Sequence, residues 1–357
     1  MSKQSEPIKP TDATPAKPAD QRRLQMADIA RLAGVSVATV SRALNGSPLV
    51  NQETRERVTE LARSLKYSIN LGAQNLRLQK NRTVAVVVPY DAASRQHISD
   101  PFFLSIVGAI ADALTDRGYD MLLSRVDAER LDLAAHAIDS GKAAGLLIIG
   151  QWRHHDQLNE LAARKLPVVV WGAQLAQQIY CSVGGDNVLG GRLAAEHLLA
   201  LGRRRIAFLG DAALPEVMMR REGFWQALAS AGVAREAALE LAVPFEVNVG
   251  RGAIEQFFAA HREVDAVLAC SDLLALQAIQ ALRGQGRAVP KDVVVSGYDD
   301  MPLAAYCDPP LTSVHQPVAL AGAELVQALM RMMEGEHVAP ITLPVHLVVR
   351  ESAPAAA

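Results

Sequence analysis

Between Met26 and Leu65 the apolar positions recur at intervals of three and four residues, in three short bursts. In MADIARLAG, Ile29, Leu32 and Ala33 share one face and Gly34 stops the helix. Ser36 is placed to cap a second helix running to about Leu44, which Asn45-Gly46 ends. Asn51 caps a third, QETRERVTELARSL, with Glu53 in its first turn and Val58, Leu61, Ala62 and Leu65 as its apolar stripe. The stretch SINLGAQNLRLQKNRT is polar, moderately helical and too short to bury a core of its own.

From Thr83 onward the rhythm changes. TVAVVVP, DMLLSRV, GLLIIG, PVVVWG, RIAFLG, AVLAC and VVVSGYD are short continuous apolar runs, separated by amphipathic helical stretches such as FLSIVGAIADALTDRG and GGRLAAEHLLALG. Strands that alternate with helices and are apolar on both faces read as parallel βαβ units. Seven or more of them over residues 83–353 exceed one comfortable sheet and predict two α/β subdomains.

The turn Ala33–Ser36 between two short helices has the helix-turn-helix arrangement, whose second helix enters the DNA major groove. Val35, Val40 and Leu44 are needed for packing on the first helix, which leaves Val37, Ala38, Ser41 and Arg42 outward. An outward arginine reaches guanine O6 and N7 with two hydrogen bonds, and small neighbours permit close approach and contact with a thymine methyl. The bland alternative is a helical hairpin with a solvated arginine.

Charge adds to this. The formal net charge of −2 is uneven: Gln21 to Lys80 holds ten Arg/Lys against four Asp/Glu, so the rest of the chain carries −8. A basic module on an acidic body is the footprint of a nucleic-acid-binding head, although charge alone fits a solvated surface equally well. The three cysteines, Cys181, Cys270 and Cys307, are scattered and form no C-x-x-C pair, which points to reduced thiols in a cytoplasmic protein. Residues 1–24 are rich in Pro, Ala and charge without an apolar core, so they read as a disordered tail and not a signal peptide. No run approaches the roughly 18 apolar residues of a membrane span.

MADIARLAGVSVATVSRALNG, followed by VNQETRERVTELARSLKYSINLGAQNLR, resembles the DNA-binding head of the lactose-repressor family of bacterial regulators. VGGDNVLGGRLAAEHLLALGRRRIAFLG, RREGFWQALASAG and VPKDVVVSGYDDMPLAAYCDPPLTSVHQP are similar to the family's body, so the resemblance spans about residues 25–352. It implies an all-α helix-turn-helix head on a periplasmic-binding-protein-like effector domain of two Rossmann-like α/β subdomains. The expected boundaries are a tail at 1–24, the head at 25–68, a hinge helix at 69–82 and the effector and dimerisation domain at 83–353. Within it, one subdomain takes 83–183 plus 313–340 and the other 184–312 plus 341–353, leaving 354–357 as a tail.

By that resemblance Val37, Ala38 and Arg42 fall on base-contacting positions. Ser36, Thr39, Ser41, Asn45, Asn51 and Thr54 fall where phosphates are contacted. Asn70, Ala73 and Leu76 fall on the hinge, and Leu76 matches the leucine that family dimers wedge into the minor groove at the operator centre; an ordinary amphipathic-helix leucine is the alternative. The effector cleft is expected at the carboxyl ends of strands. Its candidates are Asp100 and Phe103 in SDPFF, Arg125, Gln151, Trp171, Gln174, Arg220, Ser271, Asp272 and Asp299. Arg220 and Asp299 match the family's ligand arginine and aspartate, with a structural ion pair as the alternative. Phe102 is the other aromatic candidate, and for both phenylalanines core packing is an equal alternative. Many sugar-responsive members carry an aspartate where this chain has Gly172, between Trp171 and Gln174; a tryptophan face that stacks on a sugar ring favours a neutral sugar or glycoside there.

Two other motifs lead nowhere. GGDNVLGGR has Gly185 and Gly190 at phosphate-loop spacing but lacks the Lys-Ser/Thr that follows in such loops. His154, His155, His197, His261 and His315 show no metal spacing, and His197 within an amphipathic helix is read as structural. No metal, cofactor or enzymatic centre is expected. The expected function is a cytoplasmic, sequence-specific DNA-binding regulator, a repressor of carbohydrate-utilisation genes. It acts as a homodimer on a pseudo-palindromic operator and is switched by a small sugar in the cleft. VVRESAPAAA carries no leucine heptads, which favours a dimer over a tetramer. The rivals are a periplasmic-type solute-binding protein, which needs a leader and no basic head, and a regulator of the same family with a non-sugar effector.

Overall fold

A computed structural model describes residues 25–44, 47–65, 81–90, 98–153, 155–234, 239–243 and 250–355. The chain divides into two units, residues 1–80 and 81–357.

In the first unit, α1 (Met26–Ala33), α2 (Val37–Leu44) and α3 (Gln52–Ser64) form a three-helix cluster. Gln25 and Asp28 close a reciprocal capping box at the start of α1, and Gly34 ends it in a left-handed conformation (φ 65°) that releases the chain into the turn. Ile29, Ala30, Ala33, Val40, Ala43, Val50 and Val58 make the core. The face expected for α1 is rotated: Leu32 is 55% exposed and Ala30 is buried in its place. Contact with both α2 and α3 draws in Ala30 beside Ile29 and Ala33, because a helix that touches two neighbours buries a wider arc than one stripe.

The second unit holds two six-stranded sheets. The first has the order β11-β5-β4-β3-β1-β2 and is parallel throughout. Its strands are β1 (Thr83–Tyr90), β2 (Asp120–Asp127), β3 (Gly145–Ile149), β4 (Val168–Trp171), β5 (Cys181–Gly185) and β11 (Ile341–Leu343). The second has the order β12-β10-β9-β8-β6-β7, with β12 antiparallel to β10. It comprises β6 (Ile206–Leu209), β7 (Leu239–Leu241), β8 (Ala266–Ala269), β9 (Val294–Asp299), β10 (Thr312–His315) and β12 (His346–Val348). β3, β4, β6, β8 and β9 are buried along their whole length, as strands covered by helices on both faces must be. Each Leu, Ile or Phe so buried contributes about 1.5–3 kcal/mol.

Helices of the first lobe include α4 (Pro101–Thr115), α5 (His155–Ala163) and, late in the chain, α10 (Val318–Met333), which packs on α4 and over β3–β5. The second lobe is built on α6 (Asn187–Ala200), α7 (Pro215–Ser230), α8 (Gly250–Ala260) and α9 (Asp272–Gly284). The chain passes between lobes at Gly185–Asn187, at His315–Val318 and at Leu343–His346. All three crossings differ from the expected boundaries, the first by Gly184 and Gly185, which pair with Thr342 and Leu343 in the first sheet. Residues 313–315 belong to the second sheet, where Ser313 and Val314 pair in register with Gly297 and Tyr298. Residues 341–343 belong to the first, beside Val183–Gly185. Backbone pairing at the edge strand decides membership at both places, and neither segment has an apolar run to announce it.

The glycine-rich stretch expected to be a false phosphate loop is the start of α6, capped by Asp186, whose carboxylate accepts from Leu189 N at 2.9 Å. Here the glycines serve helix crossing. A Cβ on Gly191 would collide with the Arg220 carbonyl of α7, and one on Gly223 with the Val188 carbonyl of α6. The two helices therefore meet backbone to backbone, which sets the position of Arg220. Residues 350–353 are woven into the second sheet: Thr312 N donates to Ser352 Oγ, Val295 N to Ser352 O, and Thr312 Oγ1 to Ala353 O. His197 Nε2 lies 2.8 Å from the same Ala353 carbonyl, a structural contact.

Candidate nucleic-acid interface and ligand cleft

In the head, Ser36 Oγ accepts from Thr39 N at 3.1 Å and lies 2.9 Å from Thr39 Oγ1, so these two side chains cap α2. The cap fixes where α2 begins and hence which residues turn outward. Val40 and Ala43 are buried, while Val37, Ala38 and Arg42 are exposed and Ser41 is half-buried. Asn51 Oδ1 accepts from Thr54 N at 2.8 Å and caps α3. Arg55, absent from the sequence reading, donates to the carbonyls of Ser47 and Val50 at 2.9 and 3.0 Å and holds the connection into α3. Asn45, Asn70, Ala73 and Leu76 lie outside the described residues. Among the head's candidates the described ones thus form an outward face of small apolar side chains and one arginine, with hydroxyls and an amide at helix starts.

In the body, a cleft of about 1020 Å3, part of it open to solvent, lies at the carboxyl ends of the strands of both sheets. Eight of the ten expected residues line it: Asp100, Phe103, Gln151, Trp171, Arg220, Ser271, Asp272 and Asp299. Phe102 lines it too, its ring 5.9 Å from that of Trp171 and 6.1 Å from that of Phe103. Asp100 caps α4 through Phe102 N at 2.9 Å, and burial holds its carboxyl above the usual carboxylate range.

Arg220 is the best-held charge in the cleft. It is 6% exposed, its Nε donates to Asn187 Oδ1 at 2.9 Å, and it donates to the Cys270 carbonyl. Its guanidinium lies 3.7 Å from the centre of the Tyr298 ring and 3.9 Å from Asp299 Oδ1. Asp299 accepts from Gln316 Nε2 at 2.7 Å; burial pushes its carboxyl well up against the pull of Arg220. Asp299 and Asp300 both take left-handed backbone conformations (φ 105° and 51°), a strain that clusters at functional sites. Asp272 accepts from Ser313 Oγ and from Met301 N, and burial pushes it up to about 7 despite those bonds. Ser271 Oγ caps α9 through Leu274 N at 3.3 Å.

Two expected residues are not brought to the cleft. Arg125 sits on β2, the edge strand of its sheet, exposed and 4.8 Å over the Tyr90 ring. An edge strand ends far from the point where strand order reverses, and the loops that reach the cleft follow β1, β3 and β4. Gln174 is exposed and does not line the cleft, whereas Gln151 is fully buried in its wall. Gln151 donates to Ala173 O at 2.6 Å and to Tyr180 Oη at 2.8 Å, and accepts from Ala173 N at 2.9 Å. A Cβ on Gly172 would run into the Gln151 side chain, so the glycine exists to admit that amide. Gln151 is therefore a wall-builder whose polar atoms are already engaged.

Trp152, which follows the same apolar run as Gln151, lines the cleft as position after a strand predicts, whereas sequence reasoning missed Glu216 and Met301, which also line it. The rule that found Ser271 and Asp272, that ligand residues follow strands, applies equally to the turn after β6 that leads to Glu216. Burial raises the Glu216 carboxyl as well. The lining thus carries four carboxyl groups, one guanidinium and an aromatic wall. Such a set suits a ligand with many hydroxyls and an apolar ring face. Among the described residues no helix is long and apolar enough to cross a membrane, and no group of three His, Cys, Asp or Glu is placed to hold a metal ion.

The model of "Bacterial regulatory proteins, lacI family" matches residues 25–70, and that of "Periplasmic binding protein-like domain" matches residues 195–353. The transcriptional regulator CelR of Thermobifida fusca is 36% identical over 335 residues, covering 91% of this chain and 96% of that one. The chain belongs to the lacI family. As a member it is a DNA-binding transcriptional regulator, with a helix-turn-helix head and a two-sheet α/β body. Among solved structures, a CelR–cellobiose complex is 33% identical with a TM-score of 0.68 and covers 92% of this chain and all of that one. The lac repressor dimer bound to operator and the anti-inducer ONPF is 28% identical with a TM-score of 0.83, covering 94% of this lacI-family chain and all of that one.

Proposed function

We propose that this lacI-family regulator is a cytoplasmic homodimeric repressor of carbohydrate-utilisation genes, without catalytic activity, released from or retained on its operator by a neutral sugar in the cleft. The observation that carries the sugar reading is the pairing of a buried Arg220–Asp299 couple with the Phe102–Trp171 wall. Arginine and carboxylate donate and accept at hydroxyls while aromatic faces cover the ring's C–H surface. Among the described residues of the lining there is one cation, Arg220, already engaged by Asp299 and the Cys270 carbonyl, which weighs against phosphorylated or acidic sugars. The likeness to CelR, solved with cellobiose, supports a disaccharide.

On the DNA side, Val37, Ala38 and Arg42 read bases from the exposed face of α2. Ser36, Thr39, Ser41, Asn45, Asn51 and Thr54 set its register on phosphates. Asn70, Ala73 and Leu76 complete the operator contact, with Leu76 wedged at its centre. The domain boundaries stand as proposed above, with the lobe crossings at the strands just described. A thermal-shift screen against mono- and disaccharides, sugar phosphates and uronates, followed by operator binding with and without each hit, tests this. A hit confined to neutral sugars that changes operator affinity is expected. Stabilisation by an acidic or phosphorylated sugar alone would overturn the sugar class, and an unresponsive complex would overturn the switch.

A further inference from the structure

Two segments that contribute to opposite walls of the cleft also meet across it. Residues 150–153 follow β3 in the first lobe, and residues 210–214 join β6 to α7 in the second. Between them Arg153 Nη2 lies 2.6 Å from Asp211 Oδ2. Both ends of this bond are built. Asp211 Oδ1 accepts from Ala213 N at 3.0 Å and its carbonyl from Leu214 N at 3.0 Å, so the turn that carries it is tied to the start of α7. On the other side, Gln151 is anchored to Ala173 and Tyr180, and it is flanked by left-handed backbone at Gly150 (φ 101°) and Trp152 (φ 49°). Such a conformation at a tryptophan persists only when its surroundings hold it, and it turns Arg153 away from the first lobe toward Asp211. In the first turn of α7, just after Asp211, the Glu216 carboxyl faces the backbone N–H of Gln151.

An exposed ion pair within one rigid body does little. One that joins two lobes acts differently, because it exists only where the lobes stand this close, and only contacts made unequally in two states shift the balance between them. We propose that Arg153 and Asp211 are positioning residues that clamp the two lobes across the cleft and so set how long a ligand stays bound. The inference rests on the reading that the cleft takes a small ligand, and neither residue is required to touch it. Breaking the clamp therefore acts on the dissociation rate more than on the association rate.

The test uses the full chain and the variants Arg153→Ala, Arg153→Glu, Asp211→Arg and the double reversal Arg153→Glu/Asp211→Arg. Hydrogen exchange of peptides covering 150–153 and 211–217 is measured without ligand, and cellobiose release by stopped flow. Each single variant is expected to exchange faster in both segments and to release cellobiose on the order of twofold to tenfold faster, with the double reversal returning both toward wild type. Unchanged exchange in the singles, or a double reversal as defective as the two singles combined, overturns the clamp. Should cellobiose fail to bind the wild type, the disaccharide reading falls, and the exchange arm still decides the clamp.

Discussion

The outward face of α2 and the lining of the cleft are the two surfaces proposed to bind DNA and effector, yet their side chains are committed very differently. On α2 the packing side chains, Val40 and Ala43, and the side chains proposed to read bases, Val37, Ala38 and Arg42, are different residues on opposite faces. In the cleft the same residues do both: Asp100, Ser271 and Asp299 cap helices or accept internal bonds, and Arg220 holds three elements together. A change on the helix face should therefore alter recognition and spare stability, whereas a change in the cleft should damage both.

The severest break in that contrast is Arg220→Ala. Losing the guanidinium leaves Asp299 buried without its cation, and unfolding in urea should show a loss of about 3–5 kcal/mol together with loss of effector binding. A loss below about 1 kcal/mol would show that the cleft residues are not mutually dependent.

Asp272 comes next. Its carboxyl is held near 7 in the fold against 3.8 for the free group, so folding favours the protonated form. The stability it contributes is fully present below about pH 4 and is lost as pH rises through 7, by at most about 4 kcal/mol. Coupling to neighbouring acids spreads and reduces that change. Urea midpoints of the wild type and Asp272→Asn between pH 4 and 8 should converge or cross as pH rises, and parallel curves would refute the assignment.

On the head, Arg42→Ala should cost about 1–3 kcal/mol of operator binding per half-site, read by fluorescence anisotropy, with stability shifted by no more than about 0.5 kcal/mol. A melting temperature that falls with affinity would erase the contrast. Asn51 gives the finest division. Asn51→Ala should cost about 1 kcal/mol of head stability through the lost cap. Asn51→Asp keeps the cap and places a negative charge where a phosphate is expected, so binding alone should weaken. Equal binding by the two variants would remove Asn51 from the phosphate contacts.

The same contrast governs what could be read before folding. The outward face of α2 was legible because helical periodicity separates it from the packed face, and Gly34 and Ser36 mark where the helix starts. The lobes were legible where strands are long apolar runs. They were not legible at β5, β7, β10, β11 and β12, where CSVGG, LEL, TSVH, ITL and HLV are short or polar and owe their state to backbone pairing with distant partners. In the cleft, position after a strand found most residues, but it could not tell that Gln151 spends its amide on Ala173 and Tyr180, nor that β2 lies at the edge. Those facts depend on strand order, which no local pattern encodes.

The late crossings between lobes also bear on biogenesis. The edge strand of the first sheet, Ile341–Leu343, and the closing strand and stitching residues of the second, His346–Ala353, are synthesised within a dozen residues of each other. Neither lobe can complete its sheet on the ribosome until that stretch has emerged, however early β1–β5 are made. The two lobes are thus sealed almost simultaneously, and a nascent chain arrested before residue 340 would present two unfinished sheet edges to the translation machinery and its chaperones.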